Sequence, residues 1–231
     1  MRIDIGEKVL LENSKVAAEL RAMLAERGIL SVNMIGSPGC GKTAIFERTL
    51  AELRKTDLRV AVLTGDIQTD VDAQRLSRYG FPARQITTAG ACHLDARMVM
   101  RAMDGWDLDN IDLLLIENVG NLVCPTSYDL GEESKIVVLS VTEGEEKPLK
   151  YPGIFFRSSL MLLSKCDLLP YVPFDADLAV RNAKSIHPEI EVARLSALTG
   201  EGFSAWMKWL LERQKATRKR FAALPVAQAT T

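Results

Sequence analysis

Three groups of residues in this chain have the types and spacing to do chemistry. Gly36-Ser37-Pro38-Gly39-Cys40-Gly41-Lys42-Thr43 supplies what a polyphosphate needs. Its glycines let the backbone curl so that successive N–H groups face phosphate oxygens. Lys42 is a point charge for the β and γ phosphates, and the Thr43 hydroxyl is a Mg²⁺ ligand. Gly36, Ser37, Gly39, Cys40, Gly41, Lys42 and Thr43 are therefore assigned to a nucleotide, with Lys42 also catalytic. A second group is softer: Cys92 and His93 are adjacent, and Cys124 follows 31 residues after His93. Two thiolates and an imidazole suit Zn²⁺ or Ni²⁺, tetrahedral geometry favouring the first and square-planar the second, and three ligands leave the shell incomplete. The third group is Ser164-Lys165-Cys166-Asp167 with Ser196-Ala197-Leu198. A carboxylate at Asp167 can accept from both guanine N1–H and the exocyclic amine, a donor pair adenine does not offer. The Lys165 stem can cover the ring and the Ala197 N–H can donate to O6. Lys165, Asp167, Ser196 and Ala197 thus point to GTP and GDP.

The elements that must position these groups are legible in the apolar pattern. A run at 30–35 ends at once in the glycine loop and an amphipathic stretch at 44–53 follows, which is the strand, loop and helix order of a P-loop. Runs at 59–63, 111–116, 135–141, 159–163 and 191–195 are short and rich in Val, Ile and Leu with little alternation, as in strands buried on both faces of a parallel sheet. Ile45, Phe46, Thr49, Leu50 and Leu53 share one helical face, as do Phe203, Trp206 and Leu210. Val16, Leu20, Met23 and Leu24 predict an extra N-terminal helix, with Gly28 in the left-handed position after its end. The expected fold is α/β: a P-loop NTPase with a mostly parallel, doubly wound sheet, flanking helices and that extra helix. It forms a single domain over 1–220, followed by a flexible tail at 221–231.

Composition narrows the partners. Lys and Arg total 29 against 30 Asp and Glu, a net charge of −1 that gives no global field for nucleic acid or an anionic membrane. No run approaches the ~18 apolar residues of a membrane span, and the first residues are charged, so a cytoplasmic protein is expected. Four cysteines in such a chain argue for metal or burial rather than disulfides. Cys40 and Cys166 stand where packing explains a small residue, and His187, before Pro188, is expected at the surface without a metal role.

A resemblance is carried by further segments, in order along nearly the whole chain: Gly65-Asp66-Ile67-Gln68-Thr69-Asp70, Gln85-Ile86-Thr87-Thr88, Cys92-His93-Leu94-Asp95, residues 117–125, Tyr128-Asp129-Leu130-Gly131-Glu132, Val141-Thr142-Glu143-Gly144, Lys147-Pro148-Leu149-Lys150-Tyr151-Pro152 and Asp167-Leu168-Leu169-Pro170-Tyr171. With the glycine loop they resemble the hydrogenase nickel-incorporation GTPases, the HypB family. The two base segments are similar to the guanine-reading segments of GTPases, with Ser164 where Asn is usual. The sister family of urease nickel GTPases has Cys-Pro-His in place of Cys92-His93 and lacks the Cys124-Pro125 pair, so it is the alternative. The resemblance implies a slow, Mg²⁺-dependent GTPase that couples GTP binding and hydrolysis to nickel delivery during [NiFe]-hydrogenase maturation. It implies a GTP-dependent homodimer, a nickel-binding maturation partner, and no nucleic acid or membrane. Glu117 would hold the Mg²⁺ water shell and Asp66 would be the switch carboxylate, so that Thr43, Asp66 and Glu117 form the Mg²⁺ set and Lys42, Asp66 and Glu117 the catalytic one. Lys150 is placed to reach across a dimer interface. Two other readings share these residues: a metal carrier whose nucleotide is only regulatory, and a small-molecule or nucleoside kinase.

Overall fold

The computed structural model describes residues 5–66, 71–88 and 90–223. Its elements run α1 (Ile5–Ala25), β1 (Leu30–Gly36), α2 (Lys42–Leu53), β2 (Val60–Asp66), α3 (Val71–Ser77), β3 (Ala83–Thr87), α4 (Ala96–Ala102), β4 (Leu113–Glu117), α5 (Cys124–Ser127), β5 (Ser134–Ser140), α6 (Lys147–Lys150), α7 (Pro152–Arg157), β6 (Leu160–Ser164), α8 (Ala176–Ile186), β7 (Glu191–Arg194) and α9 (Phe203–Ala222). The seven strands form one sheet in the order β3-β2-β4-β1-β5-β6-β7, and every neighbouring pair is parallel. Both faces are apolar, which is why the strand runs do not alternate. Val32, Met34, Val62, Leu115, Val138 and Leu162 face α2 and α9, while Ala61, Leu63, Leu114, Ile116, Val137, Leu139 and Met161 face α1, α4, α7 and α8.

The expected N-terminal helix is α1; its Leu20 and Leu24 are buried, and Gly28 turns the chain into β1 at φ +67°. On the opposite face Trp206 of α9 is fully buried, donates its Nε1–H to the Thr49 hydroxyl of α2 at 2.8 Å, and stacks on Trp209. Three expectations need correction. β3 was not anticipated, because an edge strand with only Ile86 buried carries little apolar signal. β2 runs on to Asp66, past the apolar part of its run. Phe221 and Ala222, assigned above to the tail, complete α9 and Ala223 caps it. The remainder of that tail, 224–231, lies outside the described residues, as do 67–70. Among the described residues no helix is long and apolar enough to cross a membrane.

Parallel strands leave all their carboxyl ends at one edge. The loop after β1, Glu117 ending β4, Ser164 ending β6 and Ser196 after β7 therefore meet there, beside central β1, where doubly wound sheets place their ligands.

Candidate nucleotide and metal site

The loop after β1 is folded tightly enough to require its glycines. A Cβ on Gly36 would lie 2.5 Å from the Cys40 sulfur and 2.8 Å from the Val138 carbonyl, and Gly41 caps α2 at φ +101° with no side chain taking the helix N–H groups. Those donors and the positive helix end are aimed at an anion. The Lys42 ammonium, buried here, donates to the carbonyls of Gly36 and Ser37 at 3.2 and 3.5 Å. Lys147 comes from β5's side of the sheet to place its Nζ 3.3 Å from the Ser37 hydroxyl and 3.0 Å from the Glu143 carboxylate. The sequence reading singles out Lys150 in this segment, for a dimer interface, and gives Lys147 no role; the parallel pairing of β5 with β1 brings the start of α6, and with it Lys147, over the loop.

Thr43 donates its hydroxyl to Glu117 Oε1 at 2.8 Å, while Glu117 Oε2 is buried among the side-chain atoms that have no hydrogen-bond partner. A buried carboxylate oxygen left over beside a hydroxyl is a fit for Mg²⁺, which takes one or two carboxylates and keeps several waters. Burial pushes the Glu117 carboxyl up to about 7, against the opposing pull of Lys42 and of the Thr43 bond. Asp66 ends β2, which neighbours β4. The residues that follow it are undescribed until α3, where Arg75 grips Glu47 of α2 through two nitrogens at 2.7 and 3.1 Å and reaches Asp72 at 3.4 Å. Sequence alone did not mark Arg75, whose partner is 28 positions away.

A value raised above the ordinary 4.5 means that the ligand-free fold binds this proton more tightly than the unfolded chain. That contribution to stability is full below about 4.5 and is lost as pH rises through about 7. Urea unfolding of the nucleotide-free, Mg²⁺-free protein at several pH values between about 5 and 8 should show this falling term. Glu117→Gln should flatten it, and identical profiles for parent and variant would refute the assignment.

The segments at 164–167 and 196–198, the candidates for reading a base, sit side by side because β6 pairs with β7. Gly41, Ala44, Ile45, Lys165, Asp167 and Ala197 line a cavity of about 280 Å³ with them. Lys165 holds a left-handed backbone at φ +59° and donates to the Gly39 carbonyl at 2.7 Å, so its stem runs from the base pocket to the phosphate loop. Ser164, in the place usually taken by Asn, donates its hydroxyl to the Cys40 carbonyl at 2.7 Å and thereby ties the two loops directly. The Ser196 hydroxyl accepts from Thr199 N–H, fixing the turn that carries Ala197.

The metal set also assembles. Cys92 and Cys124 sulfurs lie 2.7 Å apart, Cys92 Sγ is 3.8 Å from His93 Nδ1, and one donor atom of each of the three lies within 4.8 Å of the others. Tetrahedral Zn²⁺ would hold two sulfurs ~3.8 Å apart, so binding must part this pair slightly. The hydrogen bond to Cys124 and burial push the Cys92 thiol up, and burial lowers His93, which keeps the imidazole in its neutral, ligating form. Asn121 clamps the two loops by donating to Cys92 O at 3.3 Å and accepting Val123 N–H at 2.9 Å. The ring of Tyr128 stacks on His93 at 3.7 Å. Cys40 is buried in the core and Cys166 bonds Leu163 O, as packing residues should. His187 is not bare surface: it is half-buried, and its Nδ1 pairs with Ser158 O at 3.1 Å, outside the metal set.

The profile of the family described as CobW/HypB/UreG, nucleotide-binding domain, matches residues 30–194. The hydrogenase maturation factor HypB of Azotobacter vinelandii is 49% identical over 216 residues, which are 94% of this chain and 71% of that protein. This chain belongs to the HypB family. A hydrogenase/urease maturation factor HypB of Helicobacter pylori is 39% identical over 217 residues, covering 92% of this chain and 88% of that one. Among solved structures, HypB from Helicobacter pylori in complex with nickel superposes with a TM-score of 0.84 at 36% identity, over 90% of this chain and 97% of that one. HypB from Archaeoglobus fulgidus gives 0.82 at 36%, over 88% and 99%. The HypB fold is therefore the frame that brings the phosphate loop, the cavity beside Asp167 and the Cys92-His93-Cys124 cluster to one sheet edge, and the family's P-loop makes the chain a nucleotide-binding GTPase-type protein.

Proposed function

We propose that the chain is a GTP-hydrolysing metallochaperone that couples GTP binding and hydrolysis to nickel delivery during [NiFe]-hydrogenase maturation. The observation that carries this is the shared support of the two sites: β4 ends in Glu117 at the phosphate loop, and the same connection delivers Cys124 to Cys92 and His93. Asp167 and the Ala197 N–H read guanine. Lys42 turns from the loop carbonyls to the β and γ phosphates, and Thr43, Asp66 and Glu117 hold Mg²⁺ and its waters. Bound there, Mg²⁺ neutralises charge on the β and γ oxygens. Zn²⁺ can occupy the same thiolate set as Ni²⁺. The urease reading stays beside the first, because one relative's name joins both enzymes.

Triphosphate then closes a homodimer, and hydrolysis loosens it toward a nickel-binding maturation partner. Lys150 is 60% exposed on its side chain and pairs with Glu146, which caps its helix, a surface pair weak enough for a facing subunit to take over.

Hydrolysis of GTP and ATP at matched concentration tests the reading. The parent should prefer GTP by more than about tenfold, and Asp167→Asn should weaken GTP binding by roughly 1.5 to 3 kcal/mol, the worth of a charge-assisted bond. Equal use of both nucleotides would sink it. Light scattering over a dilution series without nucleotide, with GDP and with a non-hydrolysable GTP analogue should show the tightest dimer with the analogue, weakened by Lys150→Ala. One association constant in all three states removes the dimer from the mechanism.

A further inference from the structure

We propose that Asn118 is the positioning residue that transmits the state of Glu117 to the metal ligands, an inference that rests on the coupling just described. Asn118 follows Glu117 in the chain, is 1% exposed, and is bonded through its N–H and both ends of its side-chain amide. Its N–H donates to Met34 O at 3.0 Å, which seats it against β1. Its Oδ1 accepts from Val119 N–H at 2.9 Å and from Leu94 N–H at 3.3 Å, and Leu94 is the residue after His93. Its Nδ2 donates to Asn33 Oδ1 at 3.2 Å. Asn33, fully buried, passes the chain on to Glu132 Oε1 at 3.1 Å. The Lys135 ammonium bridges Glu132, at 3.4 Å, to the carbonyl of Tyr128, at 2.9 Å, and the Tyr128 ring lies on His93. Two branches therefore leave one amide and end on one imidazole, the first through the backbone of Leu94 and the second through the stacked ring.

The input side is equally direct. Gly120, two residues on, lies against Pro38 of the phosphate loop, where an added Cβ would be 3.0 Å from the Pro38 Cα. A movement of Glu117 toward its cation, or of the loop onto phosphates, must carry the 117–121 segment with it. The single oxygen of Asn118 is shared by two donors, and the longer bond, to Leu94, is the one a small displacement tightens or breaks. Buried polar chains of this kind add little stability over apolar packing, so their cost is repaid in a defined geometry. Here that geometry belongs to His93.

The test compares metal affinity with and without nucleotide. For the full chain, Zn²⁺ and Ni²⁺ dissociation constants are measured by competition with a chromophoric chelator, first nucleotide-free and then with Mg²⁺ and a non-hydrolysable GTP analogue. Couplings between sites are typically about 5- to 150-fold. Asn118→Asp keeps the acceptor for Leu94 and Val119 but turns oxygen instead of N–H toward Asn33. It should lower the ratio of the two constants at least about threefold, while the thiolate-to-cobalt charge-transfer band of the Co²⁺-loaded protein keeps its intensity, showing both thiolates in place, and the d–d bands keep their positions, showing the ligand set whole. Adding Glu132→Gln lets Asn33 turn over and bond both neighbours again at the expense of the Lys135 contact, so this double variant should recover part of the lost ratio. Tyr128→Leu, which cuts only the ring branch from outside the core, should lower the ratio part-way and serves if Asn118→Asp does not fold. An undiminished ratio in folded Asn118→Asp, or in Tyr128→Leu when that variant is used in its place, overturns the inference. A parent ratio of unity would instead overturn the coupling reading beneath it.

Discussion

GTP turnover should fall by about two to three orders of magnitude in Lys42→Ala, the loss that follows removal of one preorganised charge from a phosphoryl-transfer site. Lys42 begins α2, and its buried ammonium is held by the carbonyls of Gly36 and Ser37 rather than by a carboxylate. The ligand-free protein thus keeps a cation desolvated and only partly satisfied, in the place where β and γ oxygens would complete it. Alanine removes that attraction and acts again through Glu117, since Lys42 is the foremost influence keeping that carboxyl from rising further. Two effects therefore fall together: a weaker grip on the triphosphate, and a Glu117 that is more often protonated at neutral pH and so poorer for Mg²⁺. The fold should survive, because the substitution relieves a buried charge without opening the core. Single-turnover phosphate release, with unfolding followed in parallel, is the measurement. Turnover within about threefold of the parent would show that another cation beside the loop, Lys147 or Lys165, carries the phosphates.

Metal affinity should drop more than about 100-fold in Cys124→Ala and in Cys92→Ala, because thiolate sites derive on the order of 10 kcal/mol or more from a few ligands and each carries a large share. The geometry makes the two losses similar. Both sulfurs point to one spot beside His93, and each is the other's nearest donor. Cys124→Ala should also leave the Cys92 thiol less perturbed, since the contact between them is the main cause of the rise at Cys92. Cys166→Ala is the control, its sulfur being spent on the Leu163 carbonyl. Titration of Zn²⁺ and Ni²⁺ into all four proteins decides the matter. Parent-like binding by both ligand variants, or a loss in the control, would move the site elsewhere.

What the sequence made legible follows from how local each signal is. The phosphate loop lies within eight consecutive residues between a strand and a helix, and the base segments each lie within four, so their types and order suffice. The metal set was visible as chemistry yet spread over two loops, which follow β3 and β4 and are brought to one edge by the sheet order β3-β2-β4. Lys147, Arg75 and Asn118 were not visible, because their meaning depends on partners in other elements: Ser37 for the first, Glu47 for the second, Asn33 and Leu94 for the third. β3 escaped for a different reason, its residues Ala83-Arg84-Gln85-Ile86-Thr87 being those of a solvated edge. His187 stays out of the metal set, as its sequence setting implies, and differs only in being half-buried, through a contact with a carbonyl 29 positions earlier.

The indole pair of α9 has an optical consequence. Trp206 is bonded through its Nε1–H to Thr49, on the helix that Lys42 begins, and its ring stacks on Trp209 at 5.8 Å. Of the chain's three tryptophans, only Trp106 lies on the other side of the sheet, where Arg84 covers it. Emission from the stacked pair therefore originates behind the nucleotide loop, in a dry setting, coupled by one hydrogen bond to the helix whose first turn meets the phosphates. A shift of that helix changes the bond and with it the colour and yield of the fluorescence, so the unlabelled protein carries its own gauge of nucleotide seating.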